Sequence, residues 1–178
     1  MVRTVLCMVF LSALFPRMAI AAEPTEFENE SRDQSHTAAM SCALDQGHAN
    51  DSAEYAINLR SEAICCRDLC VTLGAIPIQL AAGNNHGSEG WTDETAAIVA
   101  YQLAYPVHLS AYADANHADQ LWSEGNYADS TFFYLISTGP FGTASGNYNV
   151  ATALFQDATC HYYGAWVEFD TLFQQLSM

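Results

Sequence analysis

Two pairs of carboxylate and imidazole side chains have the types and spacing best suited to chemistry. Asp114 and His117 are three residues apart, and Asp157 and His161 are four residues apart. Residues at these spacings share one face of an α-helix. Such ligands, meeting between helices, are typical of sites for iron, manganese or zinc. A metal-binding bundle or a metal-dependent enzyme is therefore one hypothesis, although 20 acidic residues and six histidines also produce such pairs by chance.

The cysteines predict disulfide bonds rather than a reactive centre. Three of them fall in the short segment 65–70, and adjacent cysteines in a secreted chain are usually half-cystines. Five cysteines follow the N-terminal segment, so one thiol stays unpaired or joins two chains into an oligomer. The disulfide candidates are Cys42, Cys65, Cys66, Cys70 and Cys160.

Aromatic side chains offer a third kind of site, one for stacking on a sugar or an apolar ligand. Most of them repeat at helical spacing and are expected in the core. Trp91 borders the Gly-rich segment 83–90, and Tyr163 lies off the aromatic stripe of the last helix. These two residues are therefore the predicted ligand-binding residues.

Motifs of the common catalytic centres are absent from the chain. It contains no GxSxG elbow, no HExxH, no phosphate-binding loop and no CxxC pair. The leading hypothesis is a protein that acts by binding, without a catalytic centre and with no cofactor. Its partner would be an extracellular protein, a glycan or a small apolar ligand.

The charge of the chain narrows the choice of partner. It has 178 residues, 20 acids, five Arg and no Lys, which gives a formal net charge of -15. Nucleic acids and anionic membrane surfaces are excluded as partners because little positive charge is available to neutralise phosphates. Hydrophobic residues make up 51% of the chain, enough to build a core.

The first residues have the layout of a secretory signal peptide. Arg3 precedes an apolar run over 5–15, and Ala19 and Ala21 occupy the positions that a signal peptidase reads. This pattern predicts a signal peptide over 1–21 and a protein that is secreted, extracellular or, in a bacterium, periplasmic. The run is too short to span a bilayer, and no later stretch reaches that length. Two sequons, at Asn29 and Asn50, would accept glycans in a eukaryote.

The elements that must position these residues are predicted to be helices. The pattern favours an all-α domain over 35–178, built as a bundle of about five or six short helices, with at most a small strand pair. A flexible acidic tail is expected over 22–34, and loops are expected over 83–90 and 138–146 because of their Gly content. Pro106 predicts a kink or a restart within a helix.

Overall fold

The computed structural model describes residues 23–178, and these residues form three long helices. The helices are α1 (Glu26–Thr72), α2 (Ala81–Ser123) and α3 (Tyr127–Ser177). No strand occurs within 23–178, so the all-α prediction is confirmed. The chain runs up, down and up, which makes α1 and α3 parallel and α2 antiparallel to both. The predicted signal peptide over 1–21 lies outside the described residues.

A seven-residue repeat of buried side chains organises α3. One position of the repeat is small and the next is aromatic, the pattern of the two core positions of a coiled-coil heptad. The small positions are Ser130, Ser137, Ala144, Ala151, Ala158 and Ala165. The aromatic positions are Tyr134, Phe141, Tyr148, Phe155, Tyr162 and Phe169.

The other two helices have small residues at the same seven-residue period, and these pack against the repeat of α3. On α1 the buried repeat is Ser35, Cys42, Ala49, Ala56, Ala63 and Cys70. On α2 it is Gly83, Gly90, Ala97, Ala104, Ala111 and Ala118. Small residues opposite large rings allow close packing of the helices. Each of α1 and α2 contacts α3 much more extensively than it contacts the other.

Two glycines of α2 show why the small residues are needed. A Cβ atom added at Gly83 would lie 2.5 Å from the ring of Phe169, and one added at Gly90 would lie 2.8 Å from the ring of Tyr162. Both distances are far shorter than a normal carbon contact. The glycines therefore serve the packing of α2 on α3, although glycine weakens a helix by about 1 kcal/mol relative to alanine.

The first two helices end in the same way, each with a glycine at the start of the following turn. Gly74 and Gly125 have φ angles of 91° and 78°, which glycine adopts without a steric penalty. The amide of each glycine, and that of the residue after it, donates back to the last turn of the preceding helix. This is the Schellman arrangement, and it closes α1 and α2 at defined residues. At the start of α1, Thr25 and Glu28 form a capping box.

The predicted number of helices is wrong, because the glycines and prolines that favour breaks lie inside long helices. The expected loops over 83–90 and 138–146 lie inside α2 and α3, and Pro106 and Pro140 are also inside helices. The expected tail over 22–34 is helical from Glu26 onward, with Ser31 buried. Burial of the seven-residue repeats outweighs the local propensities of these residues.

The predicted disulfide bonds are not found within 23–178. All five candidates, Cys42, Cys65, Cys66, Cys70 and Cys160, are free. Cys42 and Cys70 occupy small positions of the α1 repeat, where cysteine packs as a small apolar residue. The Cys70 thiol donates to the carbonyl of Phe169 at 3.1 Å. Cys65 and Cys160 are exposed on different helices.

None of the helices in the described part of the chain has an apolar stretch long enough to cross a membrane.

Candidate functional site

The open side of the bundle is a groove between α1 and α2, on the face away from α3. Large apolar side chains there repeat every seven residues, yet they remain exposed. The groove is lined by Ile57 and Ile64 of α1 and by Trp91 and Ile98 of α2. The same seven-residue repeats continue along the two helices at Val71, Tyr105 and Tyr112. An exposed apolar stripe of this extent marks a surface that binds something.

Two cavities lie along this groove. The first has a volume of about 300 Å³ and is bordered by Ile64, Trp91 and the Tyr162 ring. The second has a volume of about 390 Å³ and is bordered by Ile57 and Ile98. On the α2 side, Gly83 and Gly87 line the first cavity without side chains of their own, next to the Trp91 ring. Each cavity can therefore receive an apolar group.

A buried polar cluster separates the two cavities. Glu94 is only 3% exposed, and its carboxylate accepts hydrogen bonds from Arg60 at 2.7 Å and from the Tyr162 hydroxyl at 2.6 Å. Burial, followed by the bond to Glu94, raises the pKa of Tyr162, so this phenol keeps its proton and remains a donor. The Arg60 guanidinium also lies 5.2 Å from the centre of the Trp91 ring. This cluster joins all three helices and fixes the floor of the groove.

The two predicted ligand-binding residues lie at different places. Trp91 is 57% exposed and lines the first cavity of the groove. Tyr163 is also exposed, but it lies on α3 and stacks on Trp166 at 6.0 Å, away from the groove. Of the two, only Trp91 belongs to the site described here.

The four predicted metal ligands do not come together as one site. His161 lies beside Glu89 and Asp93 of α2. His117 packs on Phe133 with the ring centres 4.5 Å apart, and it lies 24 residues beyond Asp93 on the same helix, a separation of about 36 Å. Asp114 is on that same distant turn.

The structure instead brings His161 next to residues that the sequence reasoning did not select. Glu89 Oε2 lies 3.1 Å from Nδ1 of His161 and 3.6 Å from Nδ1 of His86. His86 and Glu89 are in the segment that was expected to be a loop. Their spacing of three residues would have shown a shared helical face had that segment been taken as helical. Asp157, the expected partner of His161, is exposed and is not part of the cluster.

Comparison with known protein families, curated proteins and solved structures finds no match to this chain.

Proposed function

We propose that this protein is a secreted binding protein that holds a basic amphipathic helix of another protein in the groove between α1 and α2. The observation that carries the proposal is the exposed apolar stripe on both walls, in register with the bundle's own repeat. A helix whose apolar residues follow the same period would complete a four-helix arrangement. Trp91 and Arg60 are of the residue types that contribute most to binding at interfaces.

The two cavities define the spacing of the anchoring side chains. The first extends over 60–67 of α1 and the second over 50–57, so their centres are about ten residues apart. At 1.5 Å per residue the separation is about 15 Å, or close to three helical turns. We therefore expect a partner helix with large apolar residues at positions i and about i+11, one on each side of Arg60.

Charge favours a basic partner over a second copy of the chain. The formal net charge is -15. Removal of residues 1–21 makes it -17, because this segment contains two of the five Arg and no acidic residue. Arg60 and Arg67 line the first cavity, but each is paired with a carboxylate, so the net acidic charge of the chain dominates. Two copies would repel each other, whereas Lys and Arg along the rim of a partner helix would be attracted. The signal-peptide pattern over 1–21 is what supports placing this interaction outside the cell or in a periplasm.

The proposal is tested with a synthetic peptide of Leu and Lys that carries an apolar heptad stripe. Its fluorescein-labelled form is titrated with the full protein, and anisotropy gives the Kd. The variant Ile64→Ser/Ile98→Ser removes one apolar side chain from each cavity. Ile136→Ser on α3 is the matched control, since Ile136 and Ile98 are 39% and 40% exposed. A Leu/Lys peptide of the same composition without a stripe controls for charge alone.

We expect the striped peptide to bind wild type and the Ile136→Ser variant equally, and the groove variant at least about tenfold more weakly, which corresponds to about 1.4 kcal/mol. Equal binding of both peptides would mean that charge attraction alone causes the binding, and it would overturn the proposal. Groove-dependent binding of laurate with no peptide binding would assign the cavities to a small apolar ligand instead. Self-association lost in the groove variant would assign them to a second copy.

A further inference from the structure

A cluster of metal-ligating side chains lies at the outer rim of the interface between α2 and α3, away from the groove. His86 and Glu89 are one turn apart on α2, and His161 faces them from α3. Each contributes one ligand atom, and the three atoms lie within 4.8 Å of one another. The backbones that carry them are held by the packing of Gly90 on Tyr162, so the cluster stands on rigid helices.

Two of the three distances between ligand atoms are close to those that a tetrahedral ion needs. Glu89 Oε2 is 3.1 Å from Nδ1 of His161 and 3.6 Å from Nδ1 of His86. Ligand bonds of 2.0–2.2 Å around zinc place neighbouring ligand atoms about 3.3 to 3.6 Å apart. The shared carboxylate oxygen is thus already at the ligand spacing from both imidazoles.

The ring nitrogen of His86 provides an independent indication. Nδ1 of His86 is shielded from solvent and has no hydrogen-bond partner among the described residues. A buried polar atom without a partner is costly, and a metal ion would satisfy it. Gly164 on α3 makes room for this ring, because a Cβ at that position would lie 3.3 Å from Cγ of His86 and 3.4 Å from Nδ1.

Asp93 is placed to support the site without joining it. Its Oδ2 atom lies 3.5 Å from Nε2 of His161, the ring nitrogen that faces away from Glu89. With a metal ion bound at Nδ1, the proton of the His161 ring stays on Nε2, beside this carboxylate. The lone pair of Nδ1 then points towards Glu89 and a metal, which is the usual way in which metal-ligating histidines are oriented.

We propose that His86, Glu89 and His161 form a binding site for a single Zn²⁺ ion. Two imidazoles and one carboxylate suit zinc far better than calcium or magnesium, which prefer oxygen ligands alone. Three protein ligands leave the fourth tetrahedral position for water or for a group from a partner. This site is independent of the groove, because its ligands lie on another face of α2.

Zinc binding is measured on the full protein at neutral pH by competition with a chromophoric chelator. Co²⁺ is added to a second sample, because its visible absorption reports tetrahedral coordination by nitrogen and oxygen. The ligand variants are His86→Gln, Glu89→Gln and His161→Gln, and Asp93→Asn tests the supporting carboxylate. His117→Gln is the control, since His117 is an exposed histidine of α2 far from the cluster.

We expect one Zn²⁺ per chain and a Kd unchanged in His117→Gln. Asp93→Asn should weaken binding by roughly 10- to 100-fold, and each ligand variant should weaken it more and abolish the tetrahedral Co²⁺ spectrum. Circular dichroism identifies any variant that fails to fold, and Gly164→Ala, which crowds the His86 ring, gives a second test of the geometry. Zinc binding that survives in His161→Gln, or that His117→Gln reduces equally, would overturn the site.

Discussion

The buried face of α3 and the open groove between α1 and α2 both repeat every seven residues, but they differ in the size of what faces them. Aromatic rings of α3 meet glycine, alanine, serine or cysteine, and the interface closes. Large apolar side chains of the groove stay about half exposed in the described part of the chain. The seven-residue period alone therefore does not distinguish a closed interface from an open one. Complementarity in size does distinguish them, because only the closed interface pairs large rings with small residues.

The largest expected difference between the two regions concerns the rings of α3. Phe141 is fully buried, whereas Phe132 on the same helix is 58% exposed. Phe141→Ala should lower the free energy of unfolding by roughly 3–5 kcal/mol because it removes a ring and leaves a cavity. Phe132→Ala should change it by less than about 0.5 kcal/mol. Urea unfolding followed by circular dichroism measures both, and similar losses would mean that the α3 repeat is not the core.

The next effect concerns the polar cluster at the floor of the groove. Arg60→Met leaves the buried Glu94 carboxylate without its charge partner, so we expect a loss of about 3 kcal/mol in the free energy of unfolding. The double variant Arg60→Met/Glu94→Gln should recover part of that loss, because no buried charge remains. Arg67→Met is the control, since its pair with Asp68 is exposed and should contribute little. An equal loss in Arg67→Met would contradict the structural role of Glu94.

Two glycines of α2 sharpen the comparison, because one faces α3 and the other lines the groove. Gly90→Ala should destabilise by about 1–3 kcal/mol, since its Cβ would press on the Tyr162 ring at 2.8 Å. Gly87→Ala has no atom within 4 Å of the new Cβ and should stabilise by up to about 1 kcal/mol through helix propensity. Thermal unfolding gives the sign of each change. Two changes of the same sign would count against close packing at Gly90.

The all-α class could be predicted from the sequence, but the number of helices could not. The repeats of α1 and α2 consist of small residues, which give only a weak hydrophobic pattern. Gly83 and Gly90 were taken as loop residues, although their function depends on packing against rings more than 70 residues further along the chain. No local rule contains that information.

The candidate sites were predicted only in part for the same reason. Trp91, predicted to bind a ligand, lies in the groove, and His161, predicted to bind a metal, lies in the histidine cluster; both roles stay predictions. His86 and Glu89 lie in the segment 83–90, which was expected to be a loop, so their common helical face was not predicted. Pairing His161 with Asp157 used spacing along one helix, while the observed neighbours of His161 come from the facing helix.

The smallest effect is a difference in reactivity between the buried and the exposed thiols. Burial raises the pKa of Cys42 and of Cys66 to about 11 and also raises the pKa of Cys70. At pH values below these, the buried thiols keep their protons and are shielded, and the thiolate is the reactive form. Cys65 and Cys160 are exposed. Alkylation of the native protein near neutral pH should therefore label these two first, and the other three only as the protein unfolds or as pH rises towards their raised pKa values.

Peptide mass spectrometry after timed alkylation identifies each labelled cysteine, and labelling in denaturant without reductant gives the number of free thiols. Equal rates at Cys42 and Cys160 would contradict the burial of the α1 repeat. Labelling that requires reductant at any of the five positions would instead support the disulfide bonds expected from the sequence. A bond to Cys42 or Cys70 would have to form at the cost of packing, since both lie at small positions facing α3. The number of labels thus tests whether these cysteines serve the core as small apolar residues or as cross-links.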